Sequence, residues 1–282
     1  MDIQMIAMDL DGTALQNDHM RFTPRLSRAL ESAHRQGVAV VPVTGRPFAL
    51  LPPPLLAHPL WEGLAALCNG AQIRRLSDGT VLRRRDVPSR ALAALLVLAD
   101  RYDLPIEFSV DGTLYLTEHS REAELCRPEL AFHRDTVLAG HGVVVDSLLP
   151  LCEKQVEKVN LLCIPEKMRD ILTEESRVLP VSAVWASASG MEITHPEATK
   201  GRCVEDICGI LGIPPERVMA IGDSGNDETM LRLAGLGVAM GNAPESVRRC
   251  ADAVTLTNTD DGAAIAIERY VLRLPDGDWC LK

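Results

Sequence analysis

Apolar residues fall into short unbroken runs, each closed by polar or turn-forming residues. Met5-Ile6-Ala7-Met8, Val38-Ala39-Val40-Val41-Pro42-Val43, Leu64-Ala65-Ala66-Leu67-Cys68 and Val218-Met219-Ala220-Ile221 read as buried strands. The stretch Gly235 to Pro244 adds a fifth strand with its turn, and Ala253-Val254-Thr255-Leu256 a sixth. Between the first two runs, Thr23-Pro24 opens a helix with Leu26, Ala29, Leu30 and Ala33 on one face, and Gly37 closes it. Strand, helix and strand in that order form a βαβ unit, which predicts a parallel sheet with right-handed crossovers. Thr199 caps a later helix carrying Val204, Ile207, Cys208 and Leu211 on its apolar face. Lys200 lies in its first turn, where a cation opposes the helix dipole unless an anion is close by.

From about residue 82 the pattern changes. Arg83-Arg84-Arg85 reads as a solvated strand or linker face, and residues 89–102 form an amphipathic helix. Two alternating runs, Pro105 to Val110 and Thr113 to Leu116, flank Asp111-Gly112, a strong hairpin signal. A strand over 156–164, a helix over about 166–175 and a strand at Ala183-Val184-Trp185 follow, and the βα rhythm of the first part resumes near Met191-Glu192-Ile193. The expected fold is α/β: a Rossmann-like parallel-sheet core with helices on both faces, built from residues 1–82 and 189–282, with an inserted α/β module over 83–188.

Composition narrows the partners. The 282 residues are 46% apolar and 24% charged, the balance of a globular protein, and 39 acidic against 29 basic residues give a net charge of −10. That sign argues against nucleic acid or an anionic membrane as partner, since both need a basic face. The eight cysteines are scattered with no C-x-x-C pair, which suits reduced thiols. With no apolar run of about 18 residues and no signal peptide, the expected location is the cytoplasm.

The chemistry sits at the strand exits. Asp9 and Asp11 follow the first strand and, two residues apart on an extended segment, can face one site. Thr44-Gly45-Arg46 follows the second, Asn69-Gly70-Ala71 the third, and Gly222-Asp223-Ser224-Gly225-Asn226-Asp227 the fourth. In a parallel sheet these exits share one edge, where open α/β folds place their ligands. Carboxylates with no His or Cys beside them form an all-oxygen site suited to Mg²⁺ rather than Zn²⁺. A hydroxyl, backbone amides and Lys200 at the same edge complete a phosphoryl-binding site, and there is no Walker-type glycine loop to serve as an alternative cradle.

Asp9-Leu-Asp11-Gly-Thr13, Val-Thr44-Gly-Arg46, Lys200 and Gly222-Asp223-Ser-Gly-Asn226-Asp227 together resemble the four motifs of the haloacid dehalogenase superfamily. Asn69-Gly70-Ala71, Gly237-Val-Ala-Met-Gly241-Asn-Ala and the large insert resemble its Cof-type sugar-phosphatase branch. The resemblance implies Asp9 as nucleophile, forming an aspartyl-phosphate, and Asp11 as general acid and then base. It implies Mg²⁺ held by the Asp9 and Asp223 side chains and the Asp11 carbonyl, with Asp227 close by or acting through water. Thr44, the Gly45 amide, Lys200 and Asn226 would hold the phosphoryl oxygens, and residues 83–188 would be the cap that supplies substrate contacts. The expected activity is therefore hydrolysis of a small phosphorylated metabolite, a sugar phosphate or a cofactor phosphate such as pyridoxal phosphate, by a monomer or weak homodimer. Alternatives are a phosphomutase of sugar phosphates and a non-catalytic phosphosugar-binding regulator. Glu107, Asp111, His119, His133, Arg134 and His141 in the insert read as surface or hairpin residues, and Trp185 as core.

Overall fold

A computed structural model describes residues 2–56, 63–125 and 142–274. The chain forms two compact units, one from Met1–Gly45, Pro52–Arg83 and Thr199–Lys282, the other from Arg46–Leu51 and Arg84–Ala198. In the first unit, β1 (Met5–Met8) is buried along its whole length. The helix Pro24–Arg35 starts where Thr23 Oγ1 accepts the Leu26 N–H at 3.1 Å, and it buries Leu26, Ala29, Leu30 and Ala33. Each large side chain of this kind contributes about 1.5–3 kcal/mol when fully buried. β2 (Ala39–Pro42) pairs with β1 in parallel. β3 (Leu64–Leu67), β4 (Gln72–Arg75) and β5 (Val81–Arg84) form a separate three-stranded sheet. Of the three consecutive arginines only Arg83 is exposed; Arg85 is buried and Arg84 forks onto Asp86, so the expected solvated face holds for Arg83 alone.

The second unit is built on β6 (Ile106–Val110), β7 (Thr113–Leu116), β8 (Gly142–Val144), β9 (Val156–Leu161), β10 (Ser182–Trp185) and β11 (Met191–Thr194), in the order β10-β11-β9-β6-β7-β8. Asp111 and Gly112 both have positive φ (50° and 81°), the two-residue turn expected between β6 and β7. The helix Ser89–Tyr102 and the helix Arg169–Arg177 pack Leu92, Leu95 and Leu172 into a core with Ile106, Phe108, Val159 and Ile193. Alternate strand residues bear the polar groups. Glu107 is fully buried and accepts from Asn160 Nδ2 at 2.8 Å, so it is not a surface residue. Asp111 is an exposed turn residue facing Arg84, and His119 lies beside Asp103 on the surface. Trp185 is half-buried, donating to Thr173 Oγ1 with the Arg169 guanidinium over its ring. His133, Arg134 and His141 lie outside the described residues. Met191–Thr194, read as the return of the first fold, is instead the sheet partner of β9 and β10.

The first unit resumes with the helix Lys200–Leu211, followed by β12 (Val218–Gly222), β13 (Leu236–Ala239) and β14 (Ala253–Val254). These complete a five-stranded sheet, order β14-β13-β12-β1-β2, with every pair parallel. Met5 and Ala7 pack with Cys203, Val204 and Ile207 of the Lys200 helix. Ile6 and Met8 point to the other face by strand alternation, the face served by the helix Pro24–Arg35 and its partner Gly262–Tyr270. Among the described residues the cysteines are free thiols, and no helix is long and apolar enough to cross a membrane.

Candidate active site

β1 and β2 end level with one another and β12 one residue later: Met8 is in register with Pro42 on one side and Ile221 on the other. Asp9 N–H donates to the Ile221 carbonyl at 3.0 Å and Val43 N–H to the Met8 carbonyl at 2.9 Å, so the register runs just past the strand ends. Asp9, Thr44 and Asp223 are thereby carried to one sheet edge. The strand order also reverses at β1, with β2 on one side and β12 to β14 on the other, the position at which open α/β folds place their ligands.

At its centre, Lys200 is buried and its Nζ lies 2.6 Å from both Asp9 Oδ1 and Asp227 Oδ1. Thr199 caps the helix by accepting the Arg202 N–H at 3.1 Å, which sets the turn from which Lys200 reaches the two acids. The predicted nearby anion is thus a pair of carboxylates. Asp227 is also fixed from its other oxygen: Oδ2 accepts the amides of Asp223 and Ser224, each at 2.9 Å. The turn Gly225–Asp227 closes with a reciprocal Ser224–Asp227 capping box. Asp223 is held by Thr13 Oγ1 at 3.0 Å and by Asn242 Nδ2 at 3.3 Å.

One carboxylate oxygen each from Asp9, Asp223 and Asp227 lie within 4.8 Å of one another. Burial pushes the Asp9 carboxyl well above the ordinary range; Lys200 opposes that, and Asp227 and Asp223 add to it. Asp223 is pushed up to about 6, by burial first and by Asp227 next. For Lys200, burial alone would lower the pKa, but Asp227 and Asp9 outweigh it and hold the ammonium charged. Three crowded carboxylates against one ammonium leave negative charge that a further cation would neutralise. The all-oxygen donors of Asp9, Asp223 and Asp227 fit a hard divalent ion.

The other expected residues are distributed around this cluster. Asp11 Oδ1 lies 2.8 Å from His19 Nδ1, and its carboxyl is not part of the three-acid group. Thr44 is buried, with its N–H on the Ala66 carbonyl at 2.9 Å and its own carbonyl accepting the Asn69 N–H at 3.0 Å. Gly45 follows it, half-buried. Asn226 Nδ2 donates to Asn69 Oδ1 at 3.0 Å. Sequence reasoning assigned no role to Thr13, Ser224, Asn242 or His19. Thr13, Ser224 and Asn242 stand inside or beside strand-exit turns, which was a signal; His19 had none.

Gly12 is required where it is. Its φ is +79°, and a Cβ built there would lie 2.4 Å from Asp223 Oδ2. Gly12→Ala is therefore expected to displace the Asp223 carboxylate, lowering kcat/KM at least about tenfold and weakening divalent-cation affinity in step. Turnover kinetics with a cation titration measure both. Unchanged cation affinity in Gly12→Ala would show that Asp223 has room to retreat without cost.

Comparison with known proteins shows the family. Residues 6–267 match the family model for haloacid dehalogenase-like hydrolases. The phosphatase YwpJ of Bacillus subtilis (strain 168) is 30% identical over 285 residues, covering 93% of this chain and 98% of the relative. The 5-amino-6-(5-phospho-D-ribitylamino)uracil phosphatase YcsE of the same organism is 28% identical over 272 residues, covering 96% and 97%. A solved haloacid dehalogenase-like hydrolase from B. subtilis superposes with a TM-score of 0.81 at 26% identity, covering 95% of this chain and all of that one (100%). The chain belongs to the haloacid dehalogenase-like hydrolase family, in its Cof-type branch, and is a phosphatase.

Proposed function

We propose that the protein is a Mg²⁺-dependent phosphatase of a small phosphorylated metabolite, a sugar phosphate or a cofactor phosphate, acting through an aspartyl-phosphate on Asp9. The observation that carries this reading is the buried Lys200 ammonium 2.6 Å from both Asp9 and Asp227, beside Asp223. That cluster holds a nucleophilic carboxylate in a site already organised around anionic oxygen. The substrate that YcsE's name gives, a phosphorylated small molecule, is of the same class.

Asp9 would attack phosphorus as the bond to the leaving oxygen breaks, and Asp11 would pass its proton to that alkoxide. Asp11 would then take a proton from water, whose oxygen displaces Asp9 and releases inorganic phosphate. Lys200, Thr44, the Gly45 amide and Asn226 would hold the phosphoryl oxygens in line. The Asp9 and Asp223 side chains and the Asp11 carbonyl would hold Mg²⁺, with Asp227 steering Lys200 and the Asp223 loop. When bound, the ion supplies charge neutralisation to the phosphoryl group. The six-stranded unit corresponds to the cap of the family and would select the leaving group. The same reading takes the protein as cytoplasmic and as a monomer or weak homodimer; a net charge of −10 disfavours nucleic acid and anionic membranes as partners.

The test is phosphate release with Mg²⁺ across phosphorylated sugars, cofactors and nucleotides. Selective release is expected from one of the first two groups. Retention of phosphate on a rearranged product would indicate a mutase instead, and binding without turnover a regulator. Excess chelator is expected to stop the reaction, with Mg²⁺ restoring it and Ca²⁺ restoring far less because its larger, looser coordination misplaces the nucleophile. Full activity in excess chelator would remove the metal from the proposal.

A further inference from the structure

Asn69, at the third strand exit, stands at a junction between the Thr44 segment, Asn226 and the Lys200 helix. Cys68, Asn69 and Gly70 all have positive φ (51°, 56° and 96°), a left-handed turn that non-glycine residues keep only where the surroundings hold it. Three contacts do so. The Asn69 N–H donates to the Thr44 carbonyl at 3.0 Å, directly after Thr44 N–H has bonded the Ala66 carbonyl at 2.9 Å, so the end of β3 clasps the Thr44 segment from both sides. The Asn69 side-chain oxygen accepts from Asn226 Nδ2 at 3.0 Å, while Asn226 Oδ1 accepts from Ser224 Oγ at 2.6 Å. At Gly70 the backbone comes so close to the Lys200 helix that a Cβ would lie 2.4 Å from the Thr199 carbonyl. Asn69 itself is only 4% exposed.

We infer that Asn69 is a positioning residue of the phosphoryl site: its side-chain oxygen aims the Asn226 amide, and its backbone locks the Thr44 segment to the start of the Lys200 helix. The inference rests on the proposed phosphoryl-holding role of Asn226. Pinned by Ser224 through its oxygen and by Asn69 through one N–H, the Asn226 amide plane has a single orientation, in which its second N–H is directed by its neighbours. An asparagine suits position 69 on both counts, since it tolerates the left-handed backbone and carries the acceptor.

Asn69→Gly separates the two contributions, because glycine keeps the turn and removes only the acceptor. With p-nitrophenyl phosphate and Mg²⁺, Asn69→Gly is expected to lower kcat/KM about ten- to hundredfold, the range of coupling between contacting polar residues. In an Asn226→Ala background the same change should cost less than about twofold, because the residue through which it acts is already gone. A purely structural role would shift the melting temperature but would not depend on residue 226. In parallel, the Asn226 side-chain amide signal in a ¹⁵N–¹H spectrum, identified by its loss in Asn226→Ala, should move in Asn69→Gly. Multiplicative losses in the double variant, kcat/KM within twofold of wild type, or an unmoved amide signal would each overturn the inference. Should the wild-type protein hydrolyse no phosphate ester, the proposed function fails, and the amide signal with calorimetric affinity for inorganic phosphate decides the positioning role on its own.

Discussion

Asp9→Asn is expected to lower kcat by at least about 10³-fold while leaving the fold intact. The amide matches the carboxylate in shape and volume but cannot attack phosphorus, so the loss falls on the chemical step. Stability should move the other way in chelator. Burial raises the Asp9 pKa well above 3.8, so the native protein holds that proton at pH values where the unfolded chain has released it. Stability therefore declines as pH rises from the unfolded value through the raised folded one, and ionising Asp9 is a net cost. A neutral isostere removes that cost and relieves repulsion from Asp227 and Asp223, while Lys200 keeps its contact with Asp227 at 2.6 Å. The variant should melt at or above the wild-type temperature in chelator and gain less from added Mg²⁺. Turnover within tenfold of wild type would dismiss Asp9 as nucleophile. A lower melting temperature in chelator would mean that the Asp9–Lys200 pair stabilises more than burial of the carboxylate costs.

What the sequence made legible was the part that local pattern and strand register determine together. Asp9, Thr44 and Asp223 follow apolar strands, and once β1, β2 and β12 pair in parallel with Met8 level with Pro42 and Ile221, those residues have nowhere to go but one edge. Lys200 was marked by its unfavourable place in a helix first turn, and the structure answers with two carboxylates rather than an exposed ammonium. The hairpin at Asp111-Gly112 was legible because two consecutive positive-φ residues are chemically specified. Met191–Thr194 was not, because four residues of β-prone sequence do not say which sheet they join; pairing with Leu161 and Val159 of β9 decides that. Burial of Glu107 and Arg85 was likewise invisible, since a polar residue is buried by partners distant in sequence, such as Asn160 for Glu107. The Asp11–His19 contact crosses an irregular loop with no periodicity from which to predict it.

Lys200→Met is expected to be the most destabilising single change at the site. Methionine keeps an unbranched stem in the space of the buried lysine but leaves Asp9, Asp227 and Asp223 facing one another without the ammonium between them. Breaking a buried ion pair from one side costs about 3–5 kcal/mol because the partner charges stay buried. For a chain of this size that is a fall of about 6–20 °C in melting temperature, measured in chelator. Mg²⁺ should then recover more stability in the variant than in the wild-type protein, because the divalent ion becomes the sole cation available to the three carboxylates. Activity should not return with stability, because the cation proposed to hold a phosphoryl oxygen is absent from the reaction. Lys200→Arg tests geometry apart from charge: the planar guanidinium keeps the positive charge but cannot place a single compact donor group 2.6 Å from both Asp9 and Asp227. It should be more stable than Lys200→Met and still slow. If Lys200→Met melts within about 2 °C of wild type in chelator and gains nothing extra from Mg²⁺, the three carboxylates relieve their repulsion by taking up protons, and Lys200 is not what holds the cluster together.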